Sequence, residues 1–379
     1  MFDVPLDVLR RRTSEKWTAY PPDVLPAWVA ETDFNLAPPV RRALDHALDL
    51  GDTGYAFPGA LAHAFAEFAL AEFEWCISPE HVFQVPDVMA GITQALLAFT
   101  ERGARVVINP PVYAPFFEVL KTHERAAVHV PLVRDQSARW HLDFNGLEKA
   151  FANGASAYVI CSPHNPVGRV WSRADLRRVC ELARRYGVTV IADEIHAPLT
   201  LPGAQFVPLL ATASPDVRCV SVMSASKAWN LAGLKCAVTI AGTNEVRDAL
   251  RSHLHAIPTE IESRVGHLGV QASIAAFREG REWLHELVSH LDRNRTLLMD
   301  LLRERIPAAR CAAPEATYLA WIDCGALGIA GEPARHFRER GRVALEPGAK
   351  YGAGGKGYVR LNFGTSSRIL RDIVGRMTP

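Results

Sequence analysis

Between Val82 and Ala241 short apolar runs alternate with longer amphipathic ones, and this alternation constrains the fold more than any other feature. The apolar runs predict strands over 82–85, 105–109, 127–131, 157–161, 189–192, 219–223 and 236–241. Apolar residues at helical spacing predict helices over 91–102, 115–122, 147–151 and 173–186. Strands that alternate with helices in this way build an α/β layer structure around a mostly parallel sheet.

The flanks differ from this middle. The first forty residues are Pro-rich and irregular, as expected of extended chain wrapped over a body. A helical signal begins at Pro38-Pro39, where Val40, Leu44 and Leu48 recur at helical spacing. After about residue 265 the pattern is helical up to Pro307, with Trp283, Leu287, Leu291, Leu298 and Leu301 in one run. Strand candidates over 318–322 and 358–363 then enclose a helix. The expected division is an N-terminal segment, 1–40, associated with a small domain; a large domain, 41–270; and the small α+β domain itself, 271–379.

Composition narrows the partners. Of 379 residues, 49% are hydrophobic and 22% charged, which excludes disordered and collagen-like chains. Basic and acidic residues number 42 and 41, so nothing calls for a nucleic-acid backbone or an anionic membrane as partner. The seven cysteines form no C-x-x-C pair and read as buried free thiols in a reducing cytoplasm. The N-terminus lacks the apolar stretch of a secretory leader, and the apolar run from Val88 to Thr100 is too short to span a bilayer.

Ligands of parallel sheets bind beyond the carboxyl ends of the strands. Three successive strand candidates are followed there by Ser162-Pro-His164-Asn165-Pro-Val-Gly168, by Asp193-Glu194-Ile195-His196 and by Ser224-Ala-Ser226-Lys227. One sheet edge would thus receive an amide, a carboxylate, hydroxyls and an amine. Lys227 lies among Ala225, Ala228, Trp229 and Leu231. An amine among such neighbours has its charged form disfavoured, which suits Schiff-base chemistry.

In this order these motifs resemble the fold-type I pyridoxal-phosphate (PLP) enzymes of the class I/II aminotransferase superfamily. The interval from Asp193 to Lys227, 227 − 193 = 34, agrees with that family. The segment from Lys16-Trp17 through Trp28 to Asp33-Phe34, and Pro163-His164-Asn165-Pro-Val-Gly168-Arg169-Val-Trp171, are similar to its MalY/PatB branch of cystathionine β-lyases, or C–S lyases. Ala27, Glu31-Thr32 and Asp87 depart from the branch pattern, where methionine, Asp-Met and glycine are usual.

The resemblance implies a large domain with a mostly parallel seven-stranded sheet sandwiched by helices, plus a smaller α+β domain. It implies PLP held by Lys227 as Schiff base, the same amine also moving the substrate's α-proton. Asp193 would pair with the pyridine nitrogen, Asn165 and His196 would stand at the phenolate oxygen, and Tyr113 would stack on the ring. Ser224, Ser226, Lys235 and the backbone of Val88 and Met89 would take the phosphate. Arg360, in Gly357-Tyr-Val-Arg360-Leu-Asn-Phe-Gly364, would bind the substrate carboxylate with Asn165. Tyr55 would reach across a homodimer interface to the neighbouring site. The implied reaction is β-elimination of cystathionine or another S-substituted cysteine to a thiol, pyruvate and ammonia, a step of methionine biosynthesis. The alternative is an aminotransferase for a neutral or aromatic amino acid.

Three other signals are set aside. His285 and His290 are five residues apart, which puts them on different helix faces and argues against a metal. The segment Gly352-Ala-Gly-Gly-Lys356-Gly lacks the hydroxyl residue of a nucleotide loop and reads as a flexible connection. Arg10-Arg11-Arg12 reads as a solvated face.

Overall fold

The computed structural model describes residues 2–57, 59–256 and 264–378. Seven strands form the main sheet: β1 (Val82–Val85), β2 (Arg105–Ile108), β3 (Ala126–His129), β4 (Ala155–Cys161), β5 (Thr189–Asp193), β6 (Cys219–Met223) and β7 (Ala237–Ala241). Their spatial order is β1-β7-β6-β5-β4-β2-β3. All neighbours are parallel except β7, which runs antiparallel to β1 and β6.

Strands β5, β6 and β7 are buried along their whole length. They read as continuous apolar runs because helices cover both faces of the sheet. Side chains alternate between those faces. Val106, Ile108, Val159 and Ile191 pack with α3 (Val88–Phe99), α4 (Pro115–Thr122) and α7 (Asn244–Ala256). Val107, Tyr158, Ile160 and Val190 pack with α5 (Phe144–Ala152) and α6 (Arg173–Tyr186). A reciprocal capping box between Ser172 and Asp175 starts α6, and Gly187, at φ 68°, ends it.

Helix α3 begins at Val88, three residues before its expected start, because the Asp87 carboxylate caps it. It ends at Phe99, not Arg102, since Thr100 is extended. The other strand and helix limits differ from expectation by no more than three residues.

Two further helices precede the sheet, α1 (Pro38–Asp49) and α2 (Ala60–Phe73). They pack against α8 (His267–Glu279). Residue 270, the expected end of the large domain, lies within α8. The long α9 (Arg281–Arg305) follows. An antiparallel sheet of β8 (Arg310–Cys311), β9 (Leu319–Asp323), β10 (Glu346–Pro347) and β11 (Tyr358–Asn362) is ordered β8-β9-β11-β10. It is completed by α10 (Pro333–Gly341) and α11 (Ser367–Arg376). One apolar cluster joins α2, α8, α9, α11, β9 and β11 to the N-terminal residues Leu9, Leu25 and Phe34.

The N-terminal segment is more ordered than plain wrapping chain. It makes two helical turns, Leu6–Leu9 and Glu15–Thr18, and Leu25–Pro26 pairs in parallel with Val343–Ala344. Arg12 is not part of a solvated face: it donates to the carbonyls of Thr32 and Asp33, and to that of Phe34 at 3.0 Å. The glycine-rich segment after Tyr351 is a packed turn. A Cβ on Gly348 would lie 2.2 Å from the Gly355 carbonyl oxygen, so only glycine fits there.

All seven cysteines are free, and Cys161, Cys219 and Cys236 are buried. Among the described residues no helix is long and apolar enough to cross a membrane.

Candidate active site

Register builds the site. Cys161 pairs with Asp193, and Asp193 with Val222, so β4, β5 and β6 end side by side. Asn165, Asp193 and Lys227 follow from those ends and line one cavity of about 600 Å³. The same cavity is lined by Val88, Met89, Tyr113, His196, Ser224, Ser226, Lys235 and Arg360. Every expected site residue except Tyr55 is therefore gathered in one place. Tyr55 is 89% exposed and stands away from the cavity.

The floor is a carboxylate. Asp193 is buried and, among the described residues, its carboxylate accepts from the Ile195 amide at 3.1 Å. Burial pushes its pKa up to about 6, against the pull of that amide and of Lys227. Beside it, Glu194 is pinned by the Ser221 hydroxyl and the Leu209 amide and serves the scaffold. His196 is buried, its Nδ1 has no partner among the described residues, and burial lowers its pKa to about 3, so the ring is neutral.

Lys227 donates from Nζ to the Ala30 carbonyl at 3.0 Å. Burial first, then Arg360, lowers its pKa to about 8, while Glu31 and Asp193 pull the other way. A good fraction of the amine is thus neutral near pH 8, the form that attacks a carbonyl.

Arg360 reaches the cavity from β11. It is 4% exposed and donates to Asn165 Oδ1 at 3.1 Å and to the Trp28 carbonyl at 2.8 Å. Its Nε is buried without a partner among the described residues. The guanidinium lies over the Tyr351 ring, 5.3 Å from the centroid. Buried arginine without a carboxylate partner calls for an anion.

Ser224 lines the cavity with its hydroxyl engaged in the turn. Its hydroxyl donates to the Cys236 carbonyl at 2.7 Å and accepts from the Ser226 amide at 3.0 Å. That proton is committed to the turn, so the free hydroxyl on this side belongs to Ser226. At the N-terminus of α3, Asp87 Oδ1 accepts from the Ala90 amide at 2.8 Å, and Oδ2 pairs with Lys235 Nζ at 3.2 Å.

Residues 28–33 form a wall that motif reading missed as part of the site. Trp28, Val29, Ala30 and Glu31 line the cavity. Their carbonyls are held by Arg360, by Asn362 at 2.6 Å twice, by Tyr318 at 3.0 Å together with Lys227, and by Lys16 at 3.0 Å. Lys16 also pairs with Asp33 at 2.7 Å, both side chains being almost fully buried. Glu15, Glu346, Lys350 and Tyr351 line the cavity as well and carry no sequence motif. The two histidines of α9 go separate ways, His285 to Glu72 and His290 to the Thr365 carbonyl. Among the described residues no group of three His, Cys, Asp or Glu could hold a metal.

The model of the family "Aminotransferase class I and II" matches residues 34–377. The chain belongs to the class I and II aminotransferase family. Within that family it is 36% identical to cystathionine β-lyase PatB of Bacillus subtilis, over 94% of this chain and 92% of that one. It is 35% identical to cystathionine β-lyase of Corynebacterium glutamicum, over 98% of both chains. Among solved structures, the PLP-bound C–S lyase of Staphylococcus hominis superposes with a TM-score of 0.89 at 25% identity, over 97% and 95% of the two chains.

The cavity fits the family's cofactor on its own chemistry. A buried carboxylate suits a ring N–H, and an amine shifted toward neutrality suits an aldehyde. Lys235, Ser226 and the amides that open α3 suit a phosphate.

Proposed function

We propose that the protein is a PLP-dependent C–S β-lyase that cleaves cystathionine or a related S-substituted cysteine to a thiol, pyruvate and ammonia. One observation carries this reading. Lys227, Asp193, Asn165 and Arg360 converge on one cavity in a chain that aligns end to end with cystathionine β-lyases.

PLP, when bound, supplies an electrophilic aldehyde and a ring that accepts electrons from the substrate's Cα. The remaining work falls to the protein. Asp193 would hold a proton at the ring nitrogen and so maintain the ring's electron demand. Arg360 would take the substrate carboxylate, exchanging the Trp28 carbonyl for a charged acceptor. Lys227 Nζ would give up the Ala30 carbonyl and remove the α-proton. Loss of the thiol from Cβ completes the elimination. Tyr113 would pack on the ring, Asn165 would donate to its phenolate oxygen, and neutral His196 can accept or donate one hydrogen bond without adding charge.

We assign the smaller sheet and its helices to a domain carrying Arg360, with residues 1–40 associated with it. The active unit is a homodimer in which Tyr55 meets the neighbouring site. Its exposure, with Phe57 at 85% and Leu50 at 68%, supports an interface there. Seven free cysteines support a cytoplasmic location.

The test is the purified protein with cystathionine and no keto acid. Release of pyruvate and a free thiol is the expected result. Turnover that appears only after a keto acid is added would make the protein an aminotransferase instead. A chain that cannot be charged with PLP would overturn both.

A further inference from the structure

Two charged residues that line the cavity touch each other. Asp87 departs from the branch pattern, and Lys235 lies eight residues after Lys227. In the structure they form an ion pair of 3.2 Å at the wall of the cavity that also carries Ser226 and the start of α3. Asp87 uses its other oxygen to cap α3 through the Ala90 amide. The preceding helical amides, those of Val88 and Met89, stay available to a ligand.

The arrangement has an electrostatic consequence. A cation with no carboxylate beside it offers a phosphate an undivided positive charge. Here the ammonium is shared with a carboxylate, and that carboxylate sits beside the helix N-terminus that would otherwise favour an anion alone.

We infer that Asp87 competes with the cofactor's phosphate for Lys235, so that the pair sets a deliberately weak grip on that end of the cofactor. The inference rests on PLP being the ligand of this cavity. It assigns Asp87 as a positioning residue of the site, acting through Lys235 and not on the reacting atoms.

Asp87→Asn isolates this effect, because asparagine caps a helix as well as aspartate does while removing the charge. Dissociation constants of the cofactor-free protein would be measured by tryptophan fluorescence quenching for PLP and for pyridoxal, which lacks the phosphate. The expected result is PLP binding at least about tenfold tighter in Asp87→Asn, pyridoxal binding unchanged, and an unchanged melting temperature of the cofactor-free protein. In a Lys235→Met background the gain from Asp87→Asn should shrink to about twofold or less. Equal or weaker PLP binding in Asp87→Asn overturns the inference, as does a gain of the same size for pyridoxal or one that persists undiminished in Lys235→Met. Failure of the wild-type protein to bind PLP at all would instead refute the functional reading.

Discussion

Burial shifts both Lys227 and Asp193 toward their neutral forms, and each makes a prediction. The Lys227 amine, with its pKa lowered to about 8, gains its neutral form as pH rises through that value. Cofactor uptake by the cofactor-free protein, followed by its yellow absorbance, should accelerate about tenfold between pH 7 and 9 and then level off. A rate independent of pH would remove the amine from that step. Lys227→Ala should lose the absorbance and all turnover while still retaining PLP through the phosphate contacts. For Asp193 the sign runs the other way. Its pKa is raised to about 6, so the folded chain binds a proton that the unfolded chain has released. The resulting stability is full below about pH 4 and is lost as pH rises through 6. Asp193→Asn should therefore stabilise the cofactor-free protein in urea unfolding by up to roughly 3 kcal/mol at pH 8, and by little at pH 4, while abolishing elimination. A stability difference that ignores pH would mean that the wild-type carboxylate is already compensated.

At the scale of elements, the ends of β4, β5 and β6 deliver the chemistry, and residues 28–33 close over it. These two parts differ in how legible they were. Strands buried on both faces announce themselves as apolar runs, and the motifs that follow them are local. So Asn165, Asp193, Lys227 and Arg360 could be named from sequence before any geometry. The wall could not, because it is held by carbonyls, and backbone carbonyls leave no trace in residue type. Arg360 to Trp28, Lys227 to Ala30 and Asn362 to Val29 are contacts between distant stretches of chain. The same holds for Ser224, whose hydroxyl turned to Cys236, and for Arg12, which turned inward. The wall hangs on the buried Lys16–Asp33 pair. Lys16→Met would strand the Asp33 carboxylate and should cost about 3–5 kcal/mol in denaturant unfolding, with a raised KM for cystathionine. Lys16→Met combined with Asp33→Leu should recover most of the stability; no recovery would show that the pair does more than neutralise charge.

At the scale of the whole molecule, the site sits where the main sheet, the smaller sheet and the N-terminal segment meet, and one face of the chain remains apolar and uncovered. Leu48 in the last turn of α1 and Leu50, Tyr55 and Phe57 just after it are all exposed. If this face carries the proposed dimer interface, Leu50→Asp with Phe57→Asp should leave a monomer in sedimentation and weaken PLP binding. Tyr55→Phe should keep the dimer and raise the dissociation constant for PLP about tenfold, the loss of one charge-assisted hydrogen bond. A wild-type monomer that binds PLP as tightly as the variants would dismiss the shared site. By itself the sequence determined the layered α/β architecture and the family, and it named the candidate residues that the structure gathers in one cavity. It could do so because hydrophobic periodicity and strand-end motifs are local properties of the chain. Only the tertiary structure decided which donor each of those residues meets, that Asp87 and Lys235 are partners, and that residues 28–33 wall the cavity. Those are pairings across long sequence separations, fixed by burial and by the demand that each buried polar group find a partner.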